Sequence, residues 1–198
     1  VNGSGKHNNW SISYGKTNLL KPGNDPHQNA IFLTTLCAVI QAVDRHSDIL
    51  RSATAGAGND HRLGGNEAPP AIISMFLGDD LTRVVDSIIS GVPLDARKSS
   101  VLELGANVLP SFQQDNTDRN RTSPFAFTGN KFEFRMVGSS DSVSSANVVL
   151  NTIVAEAFKE AADELEKAED FDLAVHDMIK KLLADHRRII FNGNGYSE

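Results

Sequence analysis

The sequence has little of two features that would each define a class of protein. It contains a single cysteine, Cys37, so no disulfide can form within the chain and a small disulfide-stapled scaffold is excluded. It also has no stretch approaching the roughly 20 apolar residues of a membrane-spanning helix, and no basic start followed by an apolar run that would indicate a signal peptide. We therefore expect a cytoplasmic protein with no membrane partner, in which Cys37 is a buried, inert thiol.

Basic charge is also scarce. The formal net charge is −6 at pH 7, and because nucleic-acid binding requires a basic face, we expect no nucleic-acid partner. The negative charge is concentrated between Glu156 and Asp185, where ten acidic residues stand against four basic ones. Acidic helix faces are usually just solvated, but a helical pair between Asn147 and Arg188 could also be the partner surface of a non-catalytic interaction module.

The chain does not begin with methionine, and a glycine-rich turn follows Val1 at once. We interpret this start as a truncation boundary. The run from Asn2 to His7 contains two glycines and a lysine, as a phosphate-binding loop does, but that motif needs an earlier glycine and a serine or threonine after the lysine. A phosphate-loop nucleotidase is therefore an alternative that the residues support poorly.

Hydrophobic periodicity predicts most of the regular structure. A buried helix is expected over Ala30 to Arg45, with Asp25 as its cap. The glycine-rich stretch from Ser52 to Pro70 is predicted to be a long loop without a regular element. The remaining predicted elements are a short buried strand at Ala71 to Leu77, a helix at Leu81 to Ser90 ending before Gly91, a strand at 131–136, and two amphipathic helices at about 150–165 and 171–189.

The strand at 131–136 alternates strictly between apolar and charged residues. Its charged face consists of Lys131, Glu133 and Arg135. Such a face can simply be solvated, or it can form cross-strand ion pairs without any function. In the same way, Arg62 and Glu67 could form an ordinary loop ion pair, and Arg121 could be surface charge.

The order of several short motifs resembles that of the glutamine synthetase family. The family carries Asn-Gly-x-Gly-x-His-x-x-x-Ser, an arginine, a flap of the form Gly-x-Glu-Ala-Pro, then Asn-Arg, and then Arg-x-Glu-x-Arg. The corresponding positions here are 2–11, Arg62, 65–69, 120–121 and 131–135. The type III branch is similar to this chain in the sequence of residues 51–62 and 120–135. An insertion at about 78–117 also resembles that branch.

This resemblance implies a fold and an activity. The fold is α+β, with residues 1–198 forming part of the family's catalytic domain: an antiparallel, barrel-like sheet backed by helices, the insertion at about 78–117, and a C-terminal helical hairpin at about 147–190. The activity is ATP-dependent ligation of ammonia to glutamate through a γ-glutamyl phosphate intermediate. The implied cofactor is Mg²⁺ or Mn²⁺, with ATP as co-substrate, in a homo-oligomeric ring.

The resemblance also implies roles for single residues. His7 and Glu133 match metal ligands, and an imidazole with a carboxylate suits Mn²⁺ and is tolerated by Mg²⁺. The residues that match glutamate-binding positions are Asn2, Gly3, Arg62 and Arg135. Ser11, Lys131 and Arg121 match ATP-binding positions. Arg121 and the flap residue Glu67 match catalytic positions, Arg121 for charge on the transferred phosphoryl group and Glu67 for closure and proton removal from ammonium.

Four positions depart from the family pattern. Asn9 stands where a second histidine is usual, Lys131 replaces the first arginine of the Arg-x-Glu-x-Arg strand, and Ala126 replaces an arginine. Arg62 is one residue closer to Glu67 than the usual spacing. We also expect the isolated chain to be inactive, because the family's amino-terminal domain and most of its metal-binding glutamates would precede Val1.

Overall fold

A computed structural model of the chain describes residues 5–65, 68–93 and 123–193. Within these residues both helices and strands form, as an α+β fold requires. The strands are β1 (Asn8–Trp10), β2 (Ser13–Tyr14), β3 (Thr17–Asn18), β4 (Met75–Phe76), β5 (Phe125–Phe127) and β6 (Phe132–Phe134). The helices are α1 (Ala30–Arg45), α2 (Ser47–Ser52), α3 (Ala57–Arg62), α4 (Asp79–Ser90), α5 (Ser144–Leu165) and α6 (Phe171–His186), followed by a 3₁₀ turn at Arg187–Ile189.

The main sheet has four short strands in the order β1-β6-β5-β4. The pairs β1/β6 and β6/β5 are antiparallel, whereas β5/β4 is parallel. Strands β2 and β3 form a separate antiparallel hairpin. A small sheet backed by helices, as predicted, is confirmed. The described residues form no closed barrel, so the barrel-like arrangement stays a prediction.

One face of the sheet carries a cluster of aromatic rings. Phe125 stacks on Phe132 with 4.5 Å between ring centroids and 5° between planes, and it meets Phe134 edge-on at 5.8 Å. Phe127 continues the cluster to Phe32 on α1, 6.0 Å away. Offset and edge-to-face pairs of this kind add to the stabilisation from burial. This face of the sheet therefore belongs to the hydrophobic core.

Helix α1 is the buried helix that the sequence predicts, with the predicted bounds. It packs on α5 and α6, which explains why it is apolar on most of its faces. Cys37 is buried within it, and burial raises the pKa of its thiol. The predicted cap, Asp25, is wrong: the side chain of Asn29 accepts the hydrogen bond from Phe32 N at 3.0 Å.

Two other predictions need correction. The stretch from Ser52 to Pro70 is not entirely irregular, because α3 forms inside it where small residues still allow one helical turn. The strand expected at Ala71 to Leu77 is limited to the two residues of β4. Helix α4 and the left-handed Gly91 that ends it, with φ of 70°, are as predicted. The remainder of the predicted insertion, residues 94–117, lies outside the described residues.

The two predicted amphipathic helices are confirmed as α5 and α6. Each packs against α1. The end of α6 is fixed to α1 by Asp44, whose carboxylate lies 2.7 Å from His186 Nδ1 and accepts from Arg188 Nε at 2.9 Å. Among the described residues, no helix combines the length and apolar character needed to cross a bilayer.

Candidate functional site

The functional candidates lie on the sheet face opposite the aromatic cluster. Strand β1 pairs with β6 so that Asn9 stands opposite Glu133 and Trp10 opposite Phe132. Residues directly opposite in an antiparallel pair share a face, and alternate residues return to it. The residues that this register brings to one face are His7, Asn9 and Ser11 from the β1 segment and Lys131, Glu133 and Arg135 from the β6 segment.

Two of the charged residues on this face are buried, not solvated. Glu133 is 6% exposed and Arg135 is 3% exposed, although Lys131 is half-buried. Arg135 donates a 2.6 Å hydrogen bond to Ser123 O, and its Nη1 lies 4.0 Å from Glu133 Oε2. Buried charges are tolerated only when they are paired or hydrogen-bonded. The interpretation of the charged strand face as merely solvent-facing is therefore wrong for Glu133 and Arg135.

His7 and Glu133 meet at the edge of this face. His7 Nδ1 lies 2.7 Å from Glu133 Oε1, with the His7 side chain 60% exposed and that of Glu133 8% exposed. Adjacent ligands of an octahedral Mg²⁺ or similar ion are about 3 Å apart, since each bond is about 2.1 Å. The pair therefore fits two neighbouring positions of a divalent metal site. Within the residues that the structure describes, no third histidine, cysteine or acidic residue joins them.

Arg62, at the end of α3, contacts the backbone at the end of this strand pair. A Cβ atom on Gly5 would lie 2.7 Å from Arg62 Nη1 and Nη2, so the guanidinium packs directly against the glycine backbone. Its Nη2 faces the carbonyl oxygens of Arg135, Met136 and Val137 at 3.4 to 3.5 Å. Burial lowers the pKa of Arg62, and the nearby carboxylate of Asp141 opposes that shift.

Ser11 and Lys131 lie together at the far end of the β1/β6 pair. Ser11 Oγ donates to Asn130 O at 2.9 Å, and Asn18 Nδ2 donates to the same carbonyl at 2.8 Å. Two of the three residues predicted to contact ATP are thus adjacent in space. They lie at the opposite end of the strand pair from Arg62 and Arg135, which are predicted to contact glutamate.

Four of the predicted site residues, Asn2, Gly3, Glu67 and Arg121, lie outside the described residues. Lys6, which the phosphate-loop interpretation would direct at phosphates, instead donates to the carbonyl oxygens of Ser139 and Asp141.

Part of the acidic surface of α5 pairs within the chain. Glu160 accepts from Arg45 Nη1 at 2.5 Å and from Gln41 Nε2 at 2.8 Å, and Glu156 lies 3.1 Å from His46 Nε2. These contacts fix α5 to the end of α1. The alternative of an acidic partner surface therefore has fewer free carboxylates than the sequence suggests.

A cavity of about 710 Å³ lies away from these residues, between α1, the end of α4 and α6. Its lining is mostly apolar and includes Ile31, Ile88 and Phe171. It contains none of the predicted site residues.

Comparison with known proteins finds three relatives that align with the whole chain and carry the same enzyme name. The chain is 53% identical over 201 residues to a type-3 glutamine synthetase of Dictyostelium discoideum. It is 45% and 46% identical to glutamine synthetases of Bacteroides fragilis and Butyrivibrio fibrisolvens. The chain spans only 27% to 28% of the length of these relatives. No family model matches the chain. The identities confirm the resemblance that the order of the motifs indicates.

Proposed function

We propose that this chain, which belongs to the glutamine synthetase family, forms part of the catalytic domain of an enzyme that joins ammonia to glutamate at the expense of ATP. The observation that carries the proposal is the 2.7 Å contact between His7 and Glu133, on a face shared with Arg135. These residues come from distant motifs of the chain, and both match metal-ligand positions of the family.

In this proposal His7 and Glu133 hold one Mg²⁺ or Mn²⁺ ion, together with ligands from elsewhere in the enzyme. The bound ion neutralises negative charge between the ATP phosphates and the acceptor carboxylate. Glu133 is suited to its part because burial and the nearby Arg135 fix its carboxylate before any ligand arrives. His7 lies at the open side of the pair and supplies the second donor.

The substrates bind at opposite ends of the strand pair in this arrangement. Arg62 and Arg135 contact the carboxylate and phosphoryl oxygens on the glutamate side, for which the planar guanidinium is suited. Ser11 and Lys131 contact ATP at the other end. The transferred phosphoryl group therefore passes near Glu133, which lies between these two ends.

The remaining roles rest on the family motifs alone. Asn2 and Gly3 orient glutamate, and Arg121 contacts ATP and stabilises charge on the phosphoryl group during its transfer. Glu67 closes over the γ-glutamyl phosphate, excludes water and removes a proton from ammonium. The whole enzyme acts in the cytoplasm as a homo-oligomeric ring.

A chimeric enzyme tests this proposal. In the Dictyostelium discoideum relative, the segment that matches this chain is replaced by the chain itself, and glutamate-dependent phosphate release from ATP is measured with ammonia present. We expect the chimera to make glutamine. Glu133→Ala should lower its rate by at least about 10²-fold, because one well-placed charged group is lost from the site.

Glu166→Ala, in the turn after α5, is the matched control, and we expect it to change the rate by less than about twofold. Equal effects of the two substitutions would contradict the proposed site. The 198-residue chain alone should show no turnover, since the described residues bring together only two metal ligands. Turnover by the isolated chain at the rate of the chimera would show that the active site is self-contained, against the proposal.

A further inference from the structure

The Arg62 guanidinium lies in a slot formed by the backbone of Gly5 and the side chain of Asn59. Gly5 and Gly138 form an isolated antiparallel bridge beside it. A Cβ on Gly5 would meet the guanidinium at 2.7 Å, and one on Gly138 would lie 2.5 Å from Asp141 Oδ2 and 3.3 Å from Asn59 Oδ1. Real Cβ atoms do not approach this closely, so a side chain at Gly5 would displace the Arg62 guanidinium, and one at Gly138 would displace Asp141 and press on Asn59.

Within this slot, one side chain holds the guanidinium with a good hydrogen bond. Arg62 Nε donates to Asn59 Oδ1 at 3.1 Å. The contacts of Nη2 with backbone carbonyls are 3.4 to 3.5 Å, which is longer than the usual N–H···O range of about 2.7 to 3.2 Å. Asn59 therefore sets the orientation of the group more strongly than the carbonyls do.

Asn59 is itself fixed on both of its donor hydrogens. It is 6% exposed, and its Nδ2 donates to Thr54 O at 2.7 Å and to Met136 O at 2.8 Å. Its amide thus bridges the stretch before α3 and the backbone after β6. Because both donors are used, the amide cannot flip without losing its hydrogen bonds, and Oδ1 is left to accept from Arg62.

The part of Arg62 that this arrangement leaves for a ligand is Nη1. Among the described residues, none accepts a hydrogen bond from Nη1, whereas Nε and Nη2 are both directed at protein oxygens. A guanidinium held on one edge presents its other edge to an incoming anion without first losing rotational freedom.

We propose that Asn59 is a positioning residue, which holds Arg62 against the backbone of Gly5 so that Nη1 meets the carboxylate of the amino-acid substrate. This inference rests on the proposed function for the identity of the substrate. The positioning of Arg62 by Asn59, called the lock below, does not depend on it. Asn59 touches no reacting atom and acts only through Arg62.

The lock is tested first on the 198-residue chain, by NMR measurement of hydrogen exchange at Arg62 Nε. Arg62→Lys identifies the resonance. Asn59→Ala should speed this exchange by about tenfold or more, because a hydrogen bond to a charged group is lost. Asn59→Asp keeps an oxygen for Nε but turns its other oxygen toward the Thr54 and Met136 carbonyls, so we expect it to speed exchange less than Asn59→Ala does. Unchanged exchange in Asn59→Ala, or equal acceleration in both variants, would overturn the lock.

Gly5→Ala is a second variant for the same measurement, to be used if the Asn59 variants fail to fold. It leaves the hydrogen bonds of Asn59 to Thr54 and Met136 in place, yet its Cβ must displace the guanidinium. The matched control is Gly58→Ala in α3, where a Cβ would have nothing within 4 Å. Exchange at Arg62 Nε should accelerate in Gly5→Ala and stay unchanged in Gly58→Ala. Slow exchange in both would show that no slot is needed.

The substrate part is tested in the chimeric enzyme. Asn59→Ala should raise the KM for glutamate by about tenfold and leave the KM for ATP within about twofold. In an Arg62→Ala background, Asn59→Ala should have no further effect on the KM for glutamate. Asn29→Ala, which removes the cap of α1, is the structural control and should move neither KM.

The outcomes separate this inference from the proposed function. A chimera that makes no glutamine even without substitutions contradicts the proposed function, while the exchange measurement still decides the lock. An active chimera in which Asn59→Ala changes exchange but leaves the KM for glutamate unchanged overturns the assignment of Nη1 to the substrate.

Discussion

His7 Nδ1 and Glu133 Oε1 lie 2.7 Å apart, although the imidazole is largely open to solvent and the carboxylate is almost fully buried. This difference in exposure gives the two groups different parts to play. Glu133 is held by the sheet and by the neighbouring Arg135, so it provides a fixed oxygen. A ligand that approaches from solvent reaches the pair from the side of His7.

The first prediction is that the 198-residue chain binds Mn²⁺ through this pair. Either His7→Ala or Glu133→Ala should weaken binding by at least about tenfold, because each removes one of the two donors. The electron paramagnetic resonance signal of free Mn²⁺ measures the bound fraction. His176→Ala is the matched control, since His176 is an exposed histidine on α6, away from the sheet. Equal weakening by His176→Ala would argue that the ion binds the acidic helices instead.

The pairing of His7 with Glu133 could be predicted because the order of motifs identified both residues and their strand periodicity set the face. The environment of Arg62 could not. The sequence shows no periodicity through the glycine-rich stretch before it, so it does not predict α3 or the hydrogen bond from Arg62 to Asn59. The only local signal is that Arg62 follows Asn59 by three positions, which places both on one face of a helix.

The residue that caps α1 could not be predicted from the sequence either. The sequence predicts Asp25 as the cap of α1, because an aspartate before a proline is a common start signal. The chain instead makes further turns before the helix, and Asn29 takes the role because its side chain reaches Phe32 N. Competing capping residues a few positions apart differ by only about 1 kcal/mol, so packing of the preceding segment decides between them.

The second prediction concerns the buried carboxylate of Asp44. Its oxygens meet His186 and Arg188 and fix the end of α6 to α1. Asp44→Ala should lower the free energy of unfolding by about 3 kcal/mol, because the partly buried His186 loses its partner. Urea denaturation followed by circular dichroism gives this value. Asp185→Ala, at the exposed position next to His186, should change it by less than about 0.5 kcal/mol. A similar loss in both variants would mean that general helix charge, not the Asp44 contact, is responsible.

The third prediction concerns the aromatic cluster behind the site. Phe132 is fully buried and stacked on Phe125 at 4.5 Å, whereas Phe171 at the start of α6 is 60% exposed. Phe132→Ala should cost about 3 to 5 kcal/mol of the free energy of unfolding, since it leaves a cavity under β6. Phe171→Ala removes the same atoms from a largely exposed position and should cost less than about 1 kcal/mol. Comparable losses would show that the sheet is not the core of this chain.

The last prediction concerns the pH dependence of stability that Cys37 introduces. Burial raises the pKa of this thiol in the folded chain, and its Sγ lies 3.9 Å from Ile179 O as a weak donor. In the unfolded chain a cysteine thiol titrates near pH 8.5, at about its ordinary pKa. Below that pH both states hold the proton, so the thiol makes no difference between them.

Above about pH 8.5 the unfolded state loses the thiol proton while the folded state keeps it, so the free energy of unfolding must fall as pH rises. Cys37 should account for a decrease of about 2 kcal/mol between pH 8 and pH 10. Cys37→Ala lacks this group but retains every lysine and tyrosine that also titrates there, so subtraction of the two urea-denaturation series isolates the thiol. Parallel pH profiles for the two chains would show that Cys37 ionises equally in both states and is not buried as α1 requires.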